Sequence, residues 1–298
     1  MSIRKNIDRT LDIGLNFRET LKAKSKIIFK EKEWKELLRS NKKFEKMYEG
    51  ERCFILGNGP SLKDVDFSKL KNEYTFTVNQ LSKREDFKEL NTNFHFWADP
   101  QFFVINDEIP EDREVIDVMK KVNTDNNHPI CFYPIEQYKF VKNYNLDENM
   151  ETHYFLSKNI FYENYNRKID YSDITPFFGT VIQWCITMAI YMGFKKIYLL
   201  GCDTTQLINN INAVVSEVNN EFYGYTVTEN EKQRYTEFMK RYKLINSVEA
   251  YANTLNAYDR LEKYCLKHNK EIINLSSTTA IDCIPRESLE NVLNEKKI

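Results

Sequence analysis

The hydrophobic rhythm of the chain changes near residue 50. Before it, apolar positions recur at helical spacing, with Ile3, Ile7, Leu11 and Leu15 four apart and then Ile27, Ile28, Trp34, Leu37 and Leu38, which predicts helix. From residue 52 onward, short apolar runs alternate with polar stretches. Runs at 53–56, 74–78, 94–98, 130–133, 153–156, 197–200 and 271–274 predict strands, and segments 180–192 and 247–268 predict helices. Strands interleaved with helices predict an α/β class, a mostly parallel sheet with helices on both faces. Ligands of such sheets bind in the crevice beyond the carboxyl ends of the strands. The residues just past each run are therefore where chemistry is to be sought.

The first run ends in Gly57-Asn58-Gly59-Pro60-Ser61. Glycines there allow positive φ or a close backbone approach. Ser61 and Asp64 form an S-x-x-D capping pattern that predicts a helix opening at Ser61, with free N–H groups turned toward the crevice. The spacing matches neither the Walker A loop nor GxGxxG, and a bare GxGPS reads equally as a structural turn. The second run ends Asn79-Gln80 and the third Asp99-Pro100, which add polar side chains at the same edge. Asp99 can bond a ribose hydroxyl, hold a metal or cap the turn that follows. Gly179-Thr180 opens the apolar helix, Gly193 fits its C-terminal stop, and the run after it ends Gly201-Cys202-Asp203.

Composition narrows the picture. The 298 residues carry 8 glycines, so each cluster of them is informative, and the formal net charge of -1 excludes a general polyanion binder, nucleic acid included. The charge is uneven: residues 1–50 hold 14 Lys+Arg against 8 Asp+Glu, which leaves the rest acidic. This basic segment reads as a helical arm, packed on the main domain or on another subunit in a homo-oligomer, or as a surface for anionic lipid. Six dispersed cysteines without CxxC spacing read as free buried thiols, which fits a reducing cytoplasm. The chain shows no apolar core of a secretion signal and no run near about 18 apolar residues. The expected location is the cytoplasm, with peripheral contact to the inner face of the membrane through the arm.

The blocks ILGNGPSLKDVDFSKL, VNQ and GTVIQWCITMAIYMGFKKIYLLGCD together resemble the bacterial sialyltransferases of glycosyltransferase family 42 and the wider MptE-like superfamily. The similarity runs over about residues 50–285, closing helix and strand included. It implies a Rossmann-like sheet of the GT-A-variant kind over 51–285, a lid over about 204–246, the arm at 1–50 and a tail at 286–298. It also implies inverting transfer of a sialic-acid-like nonulosonic acid from a CMP-sugar donor to a glycan acceptor, with no cofactor required. On this reading Gly57, Asn58, Gly59, Pro60 and Ser61 face the nucleotide phosphate and ribose. Asn79 and Gln80 contact the nucleotide, and Asp99, Gly179, Thr180, Gly201 and Asp203 line the same cleft.

The chain departs from the family at three places. Asp99 stands where the sialyltransferases carry Asn, Thr204-Thr205 where they carry a phosphate-steadying tyrosine, and no histidine precedes the last long helix. The family offset lands on Glu249, the candidate general base, and Tyr223 and Tyr225 are the candidate replacements for the tyrosine. The other activities of the superfamily leave two alternatives: transfer from another nucleotide-sugar, or an MptE-like phosphotransferase with Mg²⁺ held by Asp99 and Asp203.

Overall fold

The computed structural model describes residues 2–29, 32–106, 108–124, 128–215, 224, 226–229, 231–233 and 243–295. Eight strands form one sheet: β1 (Arg52–Leu56), β2 (Tyr74–Val78), β3 (Phe94–Phe96), β4 (Ile130–Pro134), β5 (Thr152–Ile160), β6 (Ile174–Phe177), β7 (Lys196–Leu200) and β8 (Glu271–Asn274). Their order is β6-β5-β4-β3-β2-β1-β7-β8, and every pairing is parallel. The expected α/β class, a Rossmann-like parallel sheet with helices around it, is what the chain forms. No helix among the described residues is long and apolar enough to cross a membrane.

Strands β1 to β6 spread in one direction, and α5 (Val181–Met192) then carries the chain back to set β7 on the other side of β1. Strand order therefore reverses between β1 and β7, where Leu56 lies opposite Leu200. Ligands of such sheets bind outside the strand ends near a switch point of this kind, although here the segments leaving β1 and β7 stay bonded to each other as far as Ser61 and Asp203. Burial explains why β1 and β7 sit centrally: each is buried along four consecutive residues, as both-sided parallel strands require.

On one face, Cys53, Ile55, Ile197 and Leu199 share a core with α5 and with Tyr258, Leu261 and Cys265 of α7 (Leu244–Lys267). Helix α5 is buried at every position but its first, the mark of a helix that is apolar all round, and it ends on Gly193 at φ +97°. On the other face, Phe54 stacks on Tyr198 at 5.0 Å and joins Val292 of α8 (Leu289–Asn294). Farther along that face, β4 and β5 pack with α1 (Ser2–Phe29), α2 (Lys32–Arg39) and α3 (Pro110–Thr124). Two shorter helices, α4 (Tyr138–Asn143) and α6 (Gln206–Val215), complete the described set.

Two sequence expectations change here. Ser61 opens no helix: Pro60–Leu62 is a single 3₁₀ turn, because the Ser61 side chain is bonded to Asp203 and not to Asp64. Strand β6 was not expected, since Pro176 interrupts its pattern. Proline is tolerated there because β6 is an edge strand.

The basic arm lies on β5. The Asn16 amide donates to the carbonyl of Ile160 at 3.0 Å, and its Oδ1 accepts from the Ile160 N–H at 2.6 Å. After α2, the fully buried Asn41 donates to the carbonyls of Tyr154 and Tyr171 at 2.7 and 2.8 Å. Asn41→Ala leaves two buried carbonyls without that donor and is expected to lower stability by about 2 kcal/mol; a urea titration that superimposes on wild type would contradict this anchoring role.

Candidate functional site

The turns leaving β1 and β7 are built against each other. The N–H groups of Gly57 and Gly59 donate to the carbonyls of Leu200 (2.7 Å) and Gly201 (2.8 Å). The Ser61 N–H donates to Asp203 Oδ2 at 2.7 Å, and the Ser61 hydroxyl donates to the other carboxylate oxygen. A Cβ on Gly59 would lie 2.6 Å from the Asp203 carboxylate, and one on Gly57 would collide with the Gly201 carbonyl. Both glycines are thus required by close approach of the β7 turn. Gly201 has the additional constraint of φ +61°.

These bonds revise the expectation of a cradle of free N–H groups at GNGPS. Gly57, Gly59 and Ser61 spend theirs within the protein, and Pro60 has none. Asp203 is 2% exposed; burial pushes its pKa above the ordinary carboxylate range, and the Ser61 hydroxyl and N–H partly offset that. The Asp203 main chain and its neighbours are pinned from the segment after β8: Ser276 Oγ accepts from the Cys202 N–H (2.9 Å), Thr279 Oγ1 donates to the Cys202 carbonyl (3.0 Å), and the Ala280 N–H donates to the Asp203 carbonyl (2.8 Å).

With the backbone committed, side chains are what the crevice offers. Asn58 and Asn79, at the ends of the paired strands β1 and β2, each hold a buried Oδ1 with no hydrogen-bond partner. Asn79 does so from φ +48°. Buried amide oxygens are rarely left unpaired in folded proteins; Asn41 Oδ1 and Gln183 Oε1 are also unpaired here, and what distinguishes Asn58 and Asn79 is their place side by side at the strand ends. Gln80 is buried beside Asn79. Asp99 takes the capping role: its oxygens accept from the Gln101 N–H (3.1 Å) and Nε2 (2.9 Å), and burial raises its pKa against those bonds.

Gly179-Thr180 arrives at the crevice from the far edge of the sheet. A Cβ on Gly179 would meet Thr254 Oγ1 of α7 at 2.9 Å, so a side chain there would have to displace that hydroxyl. Gln183 Nε2 of α5 donates to the Thr254 carbonyl at 2.9 Å. Tyr258, one turn on, is 1% exposed, and burial raises the pKa of its phenol so that it stays protonated; the Thr180 hydroxyl is buried without a hydrogen-bond partner. Thr204 sits at φ +53°, a costly conformation for a β-branched residue.

Glu249 is exposed on α7. Nine residues separate it from Tyr258, which at about 100° per residue puts the two on opposite sides of the helix. Tyr223 and Tyr225 lie outside the described residues. Gly224 between them is buried on the β1 turn: its N–H donates to the Asn58 carbonyl at 2.9 Å, and a Cβ there would meet the Gly59 carbonyl at 2.8 Å. Nearby, Lys83 bonds Glu231 at 2.8 Å and Glu114 at 3.1 Å. The segment after β7 thus touches the ends of both β1 and β2.

Two of the four histidines serve the core: His95 bonds Thr77 at 2.7 Å and burial lowers its pKa to about 3, while His153 lies between Ser40 and Glu151; His128 and His268 are exposed. Among the described residues, no group of three or more His, Cys, Asp or Glu is arranged to hold a metal ion.

No protein-family model matches the chain, and no curated protein matches it. Among solved structures it is similar to the sialyltransferase CstII from Campylobacter jejuni, in complex with a substrate analogue, cytidine-5'-monophosphate. The identity is 17%, the match covers 80% of this chain and 85% of that one, and the TM-score is 0.43.

If the glycines serve close approach of the two turns, Gly59→Ala must displace Asp203 and is expected to cost about 1–3 kcal/mol of stability. Unaltered thermal unfolding of that variant would show that the turns have room to separate.

Proposed function

We propose that the protein is a glycosyltransferase whose donor is a CMP-linked nonulosonic acid of the sialic acid type, held against the ends of β1 and β2 and passed to a glycan acceptor. The observation that carries this reading is the pair of unpartnered buried amide oxygens, Asn58 Oδ1 and Asn79 Oδ1, on adjacent strand ends. Acceptors without donors suit a ligand that brings donors, as the amino group of cytosine and the ribose hydroxyls do. The phosphate then falls to the N-terminus of α5 at Thr180, where first-turn N–H groups and the helix dipole favour an anion. The blocks resembling the family 42 sialyltransferases support the same reading.

In the transfer, the acceptor hydroxyl attacks the anomeric carbon, the bond to the phosphate oxygen breaks, and CMP leaves. The Thr180 hydroxyl, buried without a partner at the start of α5, is free to donate to the departing phosphate. A general base takes the acceptor proton, and Glu249 holds that place in the sequence. If it is the base, Glu249→Ala stops CMP release from a CMP-sialic acid donor while CMP binding stays at the wild-type level. Unchanged release removes it from the reaction.

The phosphotransferase alternative asks Asp99 and Asp203 to share a cation. Each lies three residues past its strand, and β3 and β7 are three strand spacings apart, about 14 Å at ~4.8 Å per spacing. That exceeds the reach of two carboxylates on one Mg²⁺ at about 2.1 Å each, and both carboxylates already serve local bonds. Thermal-shift measurements with CMP, CDP, UDP, GDP and ATP, with and without Mg²⁺, separate the readings. CMP alone is expected to raise the melting temperature, and Asn58→Ala to weaken CMP about tenfold. Stabilisation only by ATP with Mg²⁺ would overturn the proposal.

A further inference from the structure

Helix α1 docks through one side only. Asn16 and Ile27 are buried there, and Thr20 bonds Asn159 at 3.1 Å. The opposite side presents Phe17 and Leu11 at 62% and 59% exposure, with Leu21, Leu15 and Ile13 each at 40% or more. At about 100° per residue Ile13, Phe17 and Leu21 fall within about 80° of one another and Leu11 and Leu15 within about 40°, with Gly14, Arg18 and Ser25 between the two groups on the outward arc. Arg18, Lys22 and Lys24 are exposed on the same arc. The two acids of described side chain in this stretch, Asp12 and Glu19, lie on the flank toward the docked side and are half-buried. The exposed arc is apolar and basic, with no acidic side chain among the described residues 10–27.

We propose that this face of α1 is a docking surface for an anionic lipid bilayer, lying in the interfacial plane with its apolar residues among the headgroups and upper acyl chains. Lys22 and Lys24 pair with Glu19 and Asp173 at the surface. Such exposed pairs are worth about 0–1 kcal/mol, so lipid phosphates can replace them. A second copy of the chain fits less well: an isologous contact sets a surface against itself and would bring the basic residues of the arc together across the symmetry axis. The placement suits a transferase with a membrane-borne acceptor, because Asn16 grips Ile160, the last residue of β5, at the sheet edge that carries the crevice. The inference rests on α1 alone and stands or falls independently of the donor.

The test is flotation of the full chain with vesicles of phosphatidylcholine, and of equal parts phosphatidylcholine and phosphatidylglycerol. The protein is expected to float with the anionic vesicles, to be released as salt is raised, and to partition at least about tenfold more weakly as the double variant Phe17→Ser, Leu21→Ser. Both side chains are exposed, so the variant folds, which its thermal unfolding and its CMP response verify. Failure of wild type to float with anionic vesicles overturns the proposal, as does equal flotation of wild type and variant. A concentration-dependent dimer abolished by the same substitutions, without vesicle binding, assigns the face to a second copy and equally overturns it.

Discussion

The interaction on which the rest of the structure depends is the bonding of the Asp203 carboxylate to Ser61 across the strand-order switch. It fixes the distance between the turns after β1 and β7, and that distance leaves no room for a Cβ at Gly57 or Gly59. A buried carboxylate is tolerable only when its oxygens are engaged, so Ser61 and Asp203 form a unit. With the two turns closed on each other, the N–H groups of Gly57, Gly59 and Ser61 are engaged within the protein. In the proposed function, ligand recognition passes to the side chains standing beside them, Asn58 from the same turn and Asn79 from the neighbouring strand. Positive φ at Asn79 and Thr204 adds backbone strain at this edge, and bonds from Ser276 and Thr279 hold the main chain of Cys202, just before Asp203 and Thr204.

Much of the fold was legible in the sequence because parallel strands buried on both faces write short apolar runs. Seven of those runs became strands within a few residues of their expected bounds, and Gly193 closed α5 where a left-handed residue was needed. Strand β6 escaped because Ile174-Thr-Pro-Phe carries a proline, which only its edge position permits. The crevice edge was legible for the same reason as the strands: polar residues that follow apolar runs in a parallel sheet end up side by side.

What each of those residues does was less legible, because function there is set by contacts distant in sequence. The GNGPS stretch looked like a helix start, and its Ser61 instead serves a residue 142 positions away. No local pattern records that link. The arm shows the converse. Its helical periodicity and basic balance were evident, but the division of α1 into a docked side and an exposed apolar side follows from where Asn16 meets β5.

The central claim is that a cytidine nucleotide lies against the ends of β1 and β2 and supplies the donors that Asn58 and Asn79 lack. A crystal structure of the protein with CMP tests it most directly. The account predicts nucleotide donor atoms within about 3.2 Å of Asn58 Oδ1 and Asn79 Oδ1, with the phosphate at the N-terminus of α5 beside Thr180. CMP bound elsewhere on the molecule, or bound at this edge with both amide oxygens still unpaired, would contradict it.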